Sequence, residues 1–175
     1  STRVLVEGIR QSFEALAEAN AQDDDAARRQ QEQERRELRE AYRAALEDQI
    51  AIWAETEAFA GDDRLDRRER AELRRVGQRQ EALRVEIEGI PGAHGLDEIG
   101  VLSLMHDRLD AALADAVRSL GRGRVDEPAT RGQARAARLL GTILETLSEQ
   151  PPKPEDEFGE GSGSGSGSGV SRSGS

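Results

Sequence analysis

Cysteine is absent from all 175 residues, which removes disulfides, thiol chemistry and cysteine-based zinc sites together. Aromatic residues are nearly absent too: one Trp, one Tyr and three Phe. Runs of β-branched and aromatic residues, the usual material of sheets, are missing, while Ala, Leu, Arg and Glu abound, so the composition favours helix throughout. Lysine occurs once, at Lys153, and every other basic side chain is Arg. The net charge of -10 argues against a general nucleic-acid binder and leaves room only for a local Arg stripe. No stretch approaches the roughly 20 consecutive apolar residues that cross a bilayer, so direct membrane insertion is disfavoured. The opening STRVLVEGI is too short for a signal peptide, and an upstream leader or anchor on a longer precursor would leave no trace here.

What is present is helical periodicity in five segments. Residues 3–20 carry Val6, Ile9, Phe13 and Leu16 on one face of an amphipathic helix that either completes a bundle or serves a partner. Asp23, Asp24 and Asp25 suit a helix start. The second segment then runs to Phe59 with Leu38, Tyr42, Ala45, Gln49, Ile52, Thr56 and Phe59 at alternating steps of four and three. Gly61 with Asp62 or Asp63 reads as a break and a new cap. The third segment, from about residue 64 to 88, repeats the rhythm with Leu73, Val76, Gln80, Leu83 and Ile87, and Ile90 follows just beyond it.

PGAHG at 91–95 reads as a stop, because proline restricts the residue before it and small residues follow. A fourth segment carries Ile99, Leu102, His106, Leu109, Leu113, Ala116 and Leu120, and GRGR ends it. A fifth starts near Pro128, where proline is tolerated in the first turn, and its apolar stripe is read as Ala134, Ala137, Leu140, Ile143, Leu144 and Leu147. QPPKP closes it. The result is an all-α fold, an antiparallel helical hairpin or irregular helical bundle with coiled-coil-like packing over residues 1–149. Residues 150–175 read as a disordered acidic and Gly/Ser-rich tail.

One phrase occurs twice. QIAIWAETEAF at 49–59 and QEALRVEIEGI at 80–90 share Gln, Ile or Leu three residues on, and a Glu-x-Glu pair. Gln49 and Gln80 therefore occupy matching positions on two apolar seams. A hairpin centred near residue 62 places Gln49 beside Leu73 or Val76, and Gln80 beside Tyr42 or Arg43, so the two amides do not meet. A polar residue in such a seam costs stability and fixes register. On that reading Gln80→Leu raises the melting temperature.

Few residues invite chemistry. His94 lies in the Pro-Gly turn and His106 on a helical stripe, with no HExxH or Glu-x-x-His pattern near either. DDRLD at 62–66 lacks the spacing of a calcium loop, and no nucleophile-base pair, metal set or cofactor loop emerges. No catalytic, cofactor or metal residue is assigned and no enzymatic activity is expected. The candidates are instead interface residues: Trp53, next to the apolar seam, and the arginines Arg67, Arg68, Arg74 and Arg75 in DRRERAELRRVGQRQ.

The repeated phrase resembles the wording LxxxQxxLxxETxxL of uncharacterised coiled-coil-rich bacterial helical proteins, often large and membrane-anchored. Gln49, Ile52, Glu55, Thr56 and Phe59 match one copy, and Gln80, Leu83, Glu86, Ile87 and Ile90 the other. Ile87 departs from the Thr, and Ala45 and Val76 stand where that wording has Leu. Residues 102–147, with a helix, a Gly-containing break, a Gln-containing start and an Ala/Leu-rich helix, are similar to the same family. The resemblance implies a noncatalytic scaffold or protein-protein interaction domain near the bacterial cell envelope or periplasm, with the cytoplasm as the other setting. It implies a protein partner or self-association and no cofactor. The alternative is a nucleic-acid-associated regulator using the Arg-rich helix.

Overall fold

In a computed structural model that describes residues 2–96 and 100–148, four helices follow one another: α1 Thr2–Glu57, α2 Arg67–Ala93, α3 Gly100–Gly121 and α4 Glu127–Ser148. Each packs on two neighbours. α1 and α3 both lie against α2 and α4, and the four close into a ring with α1 diagonal to α3. The all-α expectation holds, in its bundle form.

The seams lie where the steps of four and three put them. Leu38, Tyr42, Ala45, Gln49, Ile52 and Thr56 of α1 are buried, as are Leu73, Val76, Gln80, Leu83, Ile87 and Ile90 of α2 and Leu109, Leu113, Ala116 and Leu120 of α3. Ile99 and the tail at 150–175 lie outside the described residues.

Five expectations change. The aspartates at 23–25 do not begin a helix, because α1 runs through them unbroken. Each Asp costs well under about 1 kcal/mol in a helix interior, and with Ala19, Ala21, Ala26 and Ala27 around them and no Gly or Pro, nothing there is strong enough to stop it. The amphipathic segment at 3–20 is therefore the start of α1, and it does not complete the bundle: every described side chain from Arg3 to Glu34 is exposed.

The cap of α2 is Asp66 and neither Asp62 nor Asp63. Its Oδ1 accepts from the Glu69 N–H at 2.8 Å, and Glu69 Oε2 accepts from the Asp66 N–H at 2.7 Å, a reciprocal capping box. Pro91 does not stop α2 but lies inside its last turn. The helix ends at Ala93, two residues later; beyond it Gly95 takes φ +68° and the N–H groups of Gly95 and Leu96 close onto the carbonyls of Gly92 and Pro91.

On α4 the buried row is Ala129, Gly132, Gln133, Ala136, Leu140 and Ile143, so Ala134 and Ala137 sit at its flank. α4 starts at Glu127, with Asp126 Oδ1 accepting from the Ala129 N–H at 3.2 Å and Pro128 in the first turn. Its register against α3 follows from Gly132: a Cβ there would stand 2.4 Å from the Ala112 carbonyl oxygen. Only hydrogen on that Cα allows α3 and α4 to approach so closely.

The fifth change is the most informative. Gln49 and Gln80 do meet: the Gln80 amide donates to Gln49 Oε1 at 2.7 Å, and the Gln49 amide donates back at 3.3 Å. The pairing is centred above residue 62 because Ala58, Phe59 and Ala60 prolong α1 by a hydrogen-bonded turn while α2 starts only at Arg67, behind its Asp66 cap and later than the expected start near residue 64. The later start of α2 moves every cross-helix pairing along by several residues.

Candidate interaction surface

The core carries a polar layer. Gln133 of α4, fully buried, donates through its amide to Thr56 Oγ1 at 2.9 Å and to Gln80 Oε1 at 3.1 Å, while Thr56 donates to the Ile52 carbonyl at 2.9 Å. Three helices are thus joined through four side chains. Gln133 Oε1 is left without a hydrogen-bond partner. Gln133 was missed in the sequence, although Gln133, Ala136, Leu140 and Ile143 repeat the three-four-three step of the other two glutamine rows. The network also accounts for the Thr-to-Ile departure between the two phrases: only Thr56 has an amide to receive, and Ile87 is simply buried.

A second polar contact crosses the diagonal. Tyr42 Oη lies 2.7 Å from His106 Nε2, joining α1 to α3 through the interior. Burial raises the Tyr42 phenol to about 12 and lowers His106 from its ordinary value, so near neutrality both groups are uncharged and form a matched donor and acceptor. His106 also borders a cleft of about 220 Å³ between α2 and α3, with Arg84, Pro91, Leu96 and Asp110. There Arg84 holds Asp110 in a two-pronged pair at 2.6 and 3.1 Å, which lowers the carboxyl from its ordinary value. These interactions give His106, Arg84 and Asp110 partners within the bundle.

A pH dependence follows. His106 takes up a proton less readily when folded than when unfolded, so the unfolded chain binds the extra proton as pH falls below about 6.5, and stability falls with it. The loss levels off once pH passes the lowered folded value, and resumes below about pH 4 as Asp110 is protonated out of its pair. Urea midpoints measured from pH 7.5 to 5 should decline in the parent protein and stay nearly level in His106→Gln. An equal decline in both would show that His106 is not the source.

The interface candidates are distributed over separate faces. Trp53 is partly exposed, and its ring N–H donates to Glu57 Oε1 at 3.1 Å on the same helix. Glu55, about 200° round the helix from it, pairs with Arg79 of α2 at 2.5 Å, so Trp53 is turned away from the arginines. Arg67, Arg68, Arg74 and Arg75 share the outward face of α2 and are all exposed. Arg68 is paired with Glu72. Arg67, Arg70, Arg74 and Arg75 make no ion pair among the described residues, nor do Arg122 and Arg124, which flank Gly123 where it packs on Arg70. Asp23, Asp24 and Asp25 are exposed along α1.

The larger surface is α1 itself. At 1.5 Å per residue its 56 residues span roughly 84 Å, against roughly 33 to 40 Å for the other helices, so more than half of it projects beyond the bundle. Along the projecting part Val6, Ile9, Phe13 and Leu16 are 61, 58, 68 and 60% exposed, an apolar row with nothing packed on it. Arg10 between them pairs with Glu7 and Glu14 on its own helix. Among the described residues no helix is long and apolar enough to cross a membrane, and no three acidic or histidine side chains are gathered as a metal site. No known protein family matches the chain, and neither a curated protein nor a solved structure shows significant similarity to it.

Proposed function

We propose that this chain is a noncatalytic helical scaffold that joins proteins through the projecting half of α1, with the four-helix bundle as its rigid base. The observation that carries this reading is the row Val6, Ile9, Phe13 and Leu16, exposed on a helix that has left the bundle behind. Isolated helices are marginal in water and gain most of their stability from packing an apolar face, so a solitary helix with such a face is completed by a partner. The sequence resemblance adds a setting, the soluble portion of a bacterial cell-envelope protein. A photocrosslinking residue at position 13 of the full chain, in its native cells, should yield covalent protein adducts, while one at the outward-facing Gln78 should yield few. No adduct from position 13 would sink the reading.

A second reading, nucleic-acid association, has one observation in its favour: the unpaired arginines Arg67, Arg70, Arg74, Arg75, Arg122 and Arg124 at one end of the bundle. Its signature is binding of random-sequence DNA or RNA that weakens steeply with salt and is lost in Arg74→Glu/Arg75→Glu. Absence of binding at low salt removes it.

A further inference from the structure

We infer that the partner of the projecting helix is a second copy of the same chain, bound antiparallel about a two-fold axis beside Gln11. The inference rests on the interaction reading above and specifies its partner.

The direction of the apolar row decides the geometry. Val6, Ile9, Phe13 and Leu16 precede Tyr42, Ala45, Gln49 and Ile52 by the same interval, which is about ten turns of an α-helix. The exposed row therefore points along α1 in the same direction as the face that α1 buries in the bundle. A partner helix lying parallel on that row would continue straight into the volume held by α2, α3 and α4. An antiparallel partner does not: with the axis beside Gln11, residue 2 of one copy lies level with about residue 20 of the other, more than about 20 Å before the bundle begins near residue 35. The two bundles then stand at opposite ends of a shared rod.

The row is also complementary to itself. Its steps of three, four and three read the same in both directions, so the two-fold axis places Val6 opposite the second copy's Leu16 and Ile9 opposite its Phe13. Each layer pairs a smaller side chain with a larger one, twice over, which is what an isologous contact requires. Gly8 and Ser12 leave a shallow groove along one side of the row, with Val4 at its edge, into which the flank of a second helix can settle. The charges beside the row are already satisfied within each helix, since Arg10 pairs with Glu7 and Glu14, so closing two copies together strands no ion. The apolar row and its flanks on two copies come to on the order of 1,000 Å², the lower end of what a specific interface buries, so the dimer dissociates on dilution.

The test uses the full chain, which has no cysteine of its own. Light scattering up to millimolar concentration should show the mass rise from 19.1 kDa towards twice that value, and Phe13→Asp should weaken the association by roughly 100-fold while leaving the melting of the bundle unchanged. Val6→Cys and Leu16→Cys, oxidised as a mixture, should form the mixed disulfide, whereas each alone should remain unlinked. Self-linkage of each variant alone would overturn the antiparallel arrangement, and a constant monomer mass would overturn self-association. Adducts from position 13 to a different protein, together with a monomer in solution, would refute this inference and leave the scaffold reading standing, while no adducts at all would remove both.

Discussion

Gln80→Leu should lower the stability of the bundle by about 3 kcal/mol, read as a fall in the urea midpoint with an unchanged slope. The sign is opposite to the one expected from the sequence, where Gln80 is a lone polar residue in an apolar seam. Its carbonyl accepts from both Gln49 and Gln133, and its amide donates to Gln49. Leucine would strand both polar ends of Gln49 and leave Gln133 with Thr56 alone, in a layer where Gln133 Oε1 already has no partner. Each buried group left unsatisfied costs about 1 to 3 kcal/mol, more than one buried leucine returns. Replacing Gln49, Gln80 and Gln133 by Leu together should recover much of the loss, because no amide then remains to be left unpaired and Thr56 keeps its bond to the Ile52 carbonyl. A single Gln80→Leu that melts higher than the parent would show that the layer is held for register alone.

Gly132→Ala and Gly141→Ala should change stability in opposite directions, although both exchange glycine for the best helix former in the same helix. A Cβ at Gly141 meets nothing within 4 Å, so that variant should gain about 0.5 to 1 kcal/mol from the reduced backbone freedom of the unfolded chain. At Gly132 the Cβ would stand 2.4 Å from the Ala112 carbonyl oxygen, and backbone cannot rotate aside as a side chain can. α3 and α4 would have to separate along the seam that buries Ala116, Ala136 and Leu140, at a net cost of about 2 kcal/mol after the gain in helix propensity. Thermal or urea melts of the two variants side by side decide it, and equal shifts would mean that α4 has room to slide.

Much of the bundle was legible in the residues because coiled-coil rhythm is a local property. Steps of four and three placed the buried rows of α1 and α2 correctly, and those of α3 from Leu109 onward. The start of α4 near Pro128 was legible for the same reason, since proline's fixed φ and missing N–H act within a single turn. α4 itself was misread by one position because Ala134, Ala136 and Ala137 are equally small and apolar. Which of them faces inward is set by Gly132 against α3, a contact between segments far apart in the chain.

The sequence by itself determined that this protein is helical, which faces of its first three packed segments are apolar, and that glutamines lie in the seams, because each follows from periodicity within one helix. Only the tertiary structure decided that Gln49, Gln80 and Gln133 share one layer, since their meeting depends on the length of the connection from Glu57 to the Asp66 cap of α2 and on the depth to which α4 sinks into α3. It alone also decided that Val6, Ile9, Phe13 and Leu16 are surface. An apolar stripe looks the same in sequence whether or not a neighbour covers it. Here α2, α3 and α4 are too short to reach it.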